Sequence, residues 1–242
     1  MSGLARTAHA LGARWREKTL PRVAGVRYAV PDVSEGVALT FDDGPDSSFT
    51  PELLDILNAA GVAATFFVVG QRAVKYPSIV RRIRQEGHVL GSHTWSHPDP
   101  GTASAKTLLR EYRDGRHAVE DVAGTQVPLF RPPMGHVGLK SVTAMRLARV
   151  RPWLWNCDPE DWRPGARREV IVRAVEAVTP GAVVLLHDGI ELPLAAEALD
   201  RSETIAAVRQ ILRAADRHGL RFTTLSAGGG YGNSREPPRY IR

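Results

Sequence analysis

Val37-Ala38-Leu39-Thr40-Phe41, followed by Asp42-Asp43-Gly44-Pro45, reads as a short apolar strand that stops at two adjacent carboxylates and a turn. Working outward, Ala63–Val69, Val89–Gly91, Leu129-Phe130, Trp153–Trp155, Ala182–Leu186 and Arg221–Leu225 bring the count of expected strands to seven. Helical patterns separate most of them. The first begins near Ser48 or Thr50 as cap, with Pro51 at its first position and Leu53, Leu54, Ile56 and Leu57 on its buried side. Others span Pro77–Glu86, ended by Gly87, then 103–122, 138–148, 167–178 and 202–217.

Polar clusters follow the strands directly: Asp42 and Asp43, His93, Arg131, Asp158 and Asp161, and His187. In a parallel α/β structure such positions share one end of the sheet. An open doubly wound sheet concentrates its site at one crossover crevice, whereas five strand ends contribute here. The expected fold is therefore α/β, a single-domain distorted (β/α) barrel of about seven parallel strands. No internal repeat or glycine-rich dinucleotide fingerprint is visible.

The chain has 242 residues, enough for one large domain with a substantial core. Residues 37–226 form the expected catalytic body, between a basic extension at 1–36 and a Gly/Pro/Arg-rich tail at 227–242. Net charge is +6, yet residues 1–20 carry +3 and the tail +2, which leaves the body nearly neutral. A nucleic-acid enzyme carries its basic patch on the folded body, so nucleic acid is not an expected partner. The single cysteine, Cys157, cannot form an internal disulfide. No run of about 18 apolar residues suggests a membrane span. Leu4, Ala8, Leu11 and Trp15 recur at helical spacing beside Arg6, Arg14, Arg16 and Lys18. That segment is expected to pack on the domain or to touch a membrane surface weakly. It lacks the apolar core of an export signal, so a cytoplasmic location is expected.

Asp42-Asp43 and His93-Thr94-Trp95-Ser96-His97 together supply two carboxylates and two imidazoles. The strand before Asp42 would hold the two carboxylates on opposite sides of the chain, one free to bind metal and the other to face substrate. His93 and His97 would share one face of a helical turn, or a tight loop of similar reach. Histidine plus carboxylate suits Zn(2+), Co(2+) or another borderline divalent ion, and so few ligands argue against a calcium cage. One metal with three ligands and a spare carboxylate is what hydrolysis of an unactivated amide or ester requires.

These motifs resemble those of the polysaccharide deacetylase family, whose members remove N-acetyl groups from chitin, chitooligosaccharides and peptidoglycan. Thr40–Pro45, His93–His97, Arg131-Pro132-Pro133-Met134-Gly135, Asp158-Pro159-Glu160-Asp161-Trp162 and Leu185-Leu186-His187 match its five motifs in order. The resemblance implies Asp43, His93 and His97 as metal ligands and Asp42 as the base. It implies Arg131 as the group orienting that base and holding its pKa down, and the Met134 backbone N–H as an oxyanion donor. His187 would be the acid, supported by Asp161. Trp155, Leu185 and Trp162 would wall the acetyl pocket, with core packing an equal alternative for Trp162. The implied fold, a distorted barrel short of eight strands, agrees with the strand count.

The expected activity is metal-dependent hydrolysis of N-acetyl groups on an N-acetylglucosamine-containing saccharide. Cleavage of another non-peptide C–N bond, or of an O-acetyl ester, would use the same motifs, and a non-catalytic carbohydrate-binding module is a further alternative. The short loops between motifs carry no aromatic-rich insertion for gripping a polymer, so a small or lipid-linked sugar competes with a polymer as substrate.

Overall fold

The first strand sorts its side chains by parity. Val37, Leu39 and Phe41 enter the large apolar layer shared with the helices, while Ala38 joins a second cluster with Phe67, Leu129, Trp153 and Val183. Every residue of this strand, β1 (Gly36–Asp42), is buried, which suits a parallel strand covered on both faces. The computed structural model describes residues 25–30, 36–176, 180–191, 195–218 and 221–226.

After β1 come α1 (Phe49–Ala59), β2 (Thr65–Val68), α2 (Gly70–Lys75), α3 (Pro77–Gln85), β3 (Val89–Ser92) and α4 (Ala105–Ala123). Then follow β4 (Leu129–Phe130), α5 (Leu139–Ala148), β5 (Arg151–Pro152), α6 (Arg168–Glu176), β6 (Val183–His187), α7 (Ser202–His218) and β7 (Arg221–Thr223). The strands form one seven-stranded sheet in the order β5-β4-β3-β2-β1-β6, with β7 paired to β1. All ladders are parallel.

The sheet edges meet without a regular ladder. Cys157 bridges Val184 on β6, and Leu185 donates its N–H to Cys157 O at 2.9 Å. Arg27 pairs with Trp153 and Ala29 with Ala182, so Gly25–Val30, placed by sequence in the extension, lines the seam. This irregular closure is the distortion of the barrel, on the side where β5 and its neighbour β4 are only two residues long.

Several local readings change. The expected strand at Trp153–Trp155 is shifted to Arg151–Pro152, since the chain leaves β4 after Trp153 to reach β6. A short helix, α2, precedes α3 and ends at Lys75 with Tyr76 as its cap, because Pro77 has no N–H to continue it. Neither Ser48 nor Thr50 caps α1: Asp46 Oδ1 accepts from Ser48 N and Phe49 N at 2.8 and 3.1 Å. Among the described residues no helix is long and apolar enough to cross a membrane. The expected basic helix within residues 1–20 and the tail at 227–242 lie outside the described residues.

Candidate active site

Strand parity sends Asp42 inward with Thr40, and would send Asp43 to the helical side. Instead Asp43 adopts a left-handed backbone conformation, φ 67°, which turns its carboxylate to the same cavity as Asp42. The expectation of opposite sides is thus corrected, because the strand has already ended. His93 follows β3, and its Nδ1 lies 2.7 Å from Arg131 O. A carbonyl only accepts, so Nδ1 carries a proton and Nε2 is the nitrogen left to offer a lone pair to a cation. That Nε2 is 3.3 Å from Asp43 Oδ1 and 3.9 Å from Asp42 Oδ2. His97 Nε2 is also 3.3 Å from Asp43 Oδ1.

The two histidines sit on a tight loop. Thr94 and His97 both have positive φ, 68° and 55°. Glu111, buried on α4, holds this loop: its carboxylate accepts from Trp95 N, Ser96 N and Ser96 Oγ at 3.1, 2.9 and 3.0 Å. From the other side, Gly70 and Gln71 at the start of α2 donate to Thr94 O and Trp95 O at 2.9 and 3.0 Å. Sequence reading missed Glu111. Its signal was present, since a charged residue stands between Leu108 and Gly115 on the stripe that α4 buries.

The Asp43, His93 and His97 ligand atoms lie within 4.8 Å of one another, and all three residues are buried. Asp43 Oδ1 accepts no hydrogen bond, although burying such an oxygen without a partner is costly. Burial alone would raise the Asp43 carboxyl, but His93, His97 and His187 bring it well below the ordinary carboxylate range. Two imidazole nitrogens and an ionised, unpartnered carboxylate oxygen fit one divalent cation.

Arg131 is fully buried beside this group. Its Nη1 donates to Asp42 Oδ1 and to Thr40 Oγ1, both at 2.7 Å, while Nε and Nη2 donate to Trp153 O and Leu154 O at 3.2 Å. Across the cavity, His187 Nδ1 lies 2.8 Å from Asp161 Oδ1. Asp161 Oδ2 accepts from His187 N and Thr204 Oγ1 at 2.9 and 3.0 Å, and Arg201 donates to Asp161 O at 2.8 Å. Burial alone would lower the His187 pKa. Asp161, with Asp43 and Asp42, outweighs it and raises the imidazole to about 9. Thr204 and Arg201 were not singled out by sequence; they lie on and just before α7, far from any motif.

The cavity measures about 340 Å³. Asp42, Asp43, His93, His97, Met134, Trp155, Trp162, Leu185 and His187 line it, joined by Asp158, Ile190 and Glu191. Arg131 and Asp161 stand behind its wall. Trp155 and Trp162 are half-buried, whereas Trp153 is the tryptophan buried in the core. Met134 is left-handed, φ 54° and ψ 14°, in the short 3-10 turn after β4. A larger groove of about 690 Å³, lined by Tyr28 and residues 135–141, contains none of these acid, base or ligand side chains.

The family model for polysaccharide deacetylases matches residues 30–153. A peptidoglycan-N-acetylglucosamine deacetylase of Bacillus cereus is 34% identical over 211 residues, covering 86% of this chain and 95% of that protein. A chitooligosaccharide deacetylase of Azorhizobium caulinodans is 31% identical over 208 residues, covering 84% and 99%. Among solved structures, a family 4 carbohydrate esterase from Streptomyces lividans in complex with acetate superposes with a TM-score of 0.72 at 30% identity, covering 83% of this chain and 97% of that one. A peptidoglycan N-acetylglucosamine deacetylase structure reaches a TM-score of 0.76 at 31% identity, covering 86% and 94%.

Proposed function

Because the chain belongs to the polysaccharide deacetylase family, we propose that it is a divalent-metal-dependent hydrolase that removes acetyl groups from N-acetylglucosamine-containing saccharides. One observation carries this reading. The Asp43–His93–His97 group converges between an arginine-held carboxylate and a carboxylate-held imidazole around a single cavity.

Asp43, His93 and His97 would hold the ion, with zinc our choice and cobalt(II) also suited to this donor set. Such an ion supplies Lewis-acid polarisation of the acetyl carbonyl and acidifies water. Asp42 acts as general base and takes the proton of the attacking water as its oxygen bonds to the carbonyl carbon. Arg131 fixes the direction of that base, since Asp42 Oδ1 is tied to Nη1 and Oδ2 is left toward the cavity. The backbone N–H of Met134 serves the oxygen that becomes negative. His187 then gives its proton to the sugar nitrogen as the C–N bond breaks, which leaves acetate and a free amine. Asp161 keeps the proton on Nδ1 engaged, so Nε2 is the donating atom. Trp155, Trp162 and Leu185 restrict the acyl end to a small apolar group.

The test is acetate release by zinc-loaded protein from chitooligosaccharides and from peptidoglycan fragments. Release from either supports the reading. Folded, metal-loaded protein that frees no acetate from any member of the panel would overturn it.

A further inference from the structure

Arg72, on α2, lies outside every motif, yet its guanidinium joins two loops that arrive from different strands. Nη2 donates to Ile190 O at 3.0 Å and Nε pairs with Glu191 Oε1, both on the loop after β6. Nη1 donates to Pro45 O at 3.5 Å and stands 3.9 Å from Asp46 Oδ2, both on the turn after β1. The tie ends on Asp43, whose Oδ2 accepts the Glu191 N–H at 2.9 Å. This is the carboxylate oxygen opposite the one that faces the two histidines. The loops touch closely enough that a Cβ on Gly189 would stand 3.0 Å from Asp43 O and 2.9 Å from Arg72 Nη1. Asp43 holds a left-handed conformation that a non-glycine residue keeps only when its surroundings impose it.

We propose that Arg72 and Glu191 are positioning residues for Asp43: they hold the Glu191 N–H on Asp43 Oδ2, and so aim Oδ1 at His93 and His97. The inference rests on the reading of Asp43 as a metal ligand. Charge and positioning act here with opposite signs. A guanidinium near Asp43 repels a cation, so deleting its charge alone would tighten metal binding, whereas losing the tie would loosen it.

Zn(2+) affinity of the full chain, measured by competition with a fluorescent chelator, separates the two. Arg72→Met is expected to bind about 10–100-fold more weakly while the metal-free protein keeps its fold by circular dichroism. Glu191→Gln, which retains the backbone N–H, should lose less. The double variant should be no weaker than Arg72→Met alone, because the two side chains act through one contact. Arg72→Lys keeps the charge without the fork and is expected to fall between native and Arg72→Met; it also serves if Arg72→Met does not fold. Native or tighter affinity in Arg72→Met, or in Arg72→Lys where that variant stands in, overturns the proposal, as do fully additive losses. A His93→Ala control is expected to abolish binding. Native binding there would overturn the ligand assignment, whatever acetate release shows, and this proposal with it.

Discussion

Asp161 holds His187 twice, with Oδ1 2.8 Å from the imidazole Nδ1 and Oδ2 accepting the His187 backbone N–H at 2.9 Å. The same carboxylate fixes where β6 ends and which nitrogen of its last residue reaches the cavity. It also keeps the imidazole charged, at a pKa of about 9, despite burial.

The sign of the resulting pH dependence follows. In the proposed mechanism the charged His187 is the acid, so kcat/KM should fall as pH rises through its pKa. Asp161→Asn removes the main support of that charge, and the alkaline limb should move to lower pH. In metal-free protein the raised pKa contributes stability that is fully present below about 6.5 and lost as pH climbs through about 9. Denaturation midpoints near pH 6 and near pH 10 should therefore differ more in the native chain than in Asp161→Asn. Superimposable profiles for the two proteins would contradict the coupling.

Separating ligand from reagent gives a second expectation. Asp42→Asn and His187→Ala should keep the metal and lose roughly 10²–10⁴ in acetate release, the usual share of a general acid or base. A loss below about fivefold at saturating zinc would remove the role assigned to that residue.

His93→Ala should instead lose the metal itself, read by elemental analysis of folded protein. Chelation of the native chain should lower its thermal midpoint, because an ion present at a hundred times its Kd stabilises by about 3 kcal/mol. An unchanged midpoint after complete metal removal would count against the site.

The Arg131–Asp42 pair is buried on both sides, with side-chain exposures of 0% and 4%. Arg131→Met should cost about 3–5 kcal/mol in urea unfolding, because a buried carboxylate is left without its partner. Adding Asp42→Asn should recover part of that loss while activity stays absent. A single variant within about 1 kcal/mol of native would show that the pair is not the anchor described.

Gly115 offers a contest between two magnitudes. Helix propensity favours Gly115→Ala by about 1 kcal/mol in the middle of α4. Yet its Cβ would lie 2.2 Å from the Thr94 carbonyl carbon, in the backbone of the histidine loop. Overpacking against backbone costs about 1–3 kcal/mol or more, so the variant should be less stable and bind zinc more weakly. Greater stability with unchanged zinc affinity would refute the contact.

Periodicity and punctuation were enough to read the architecture. Val37–Phe41, Thr65–Val68 and Val183–Leu186 are apolar runs, and the amphipathic stripe of α4 is marked by Leu108, Tyr112 and Val119. Such patterns are local, and each strand end carries its polar residues with it. Of the eleven residues singled out for the site, nine line one cavity while Arg131 and Asp161 stand behind it. The metal-binding candidates follow from residue type, the individual roles from the family resemblance, and their common address from parallel strands.

Only the tertiary structure decided how those residues are aimed. The left-handed turn at Asp43, the irregular seam at Cys157 and Val184, and the supports Thr204, Arg201 and Arg72 appear in no local pattern. Glu191 reaches Asp43 across 148 residues, and Arg72 reaches Glu191 across 119. A sequence states which donors and acceptors exist, because that is covalent chemistry. Which lone pair faces the cavity depends on partners that folding brings from distant strands, so it is a property of the packed chain alone.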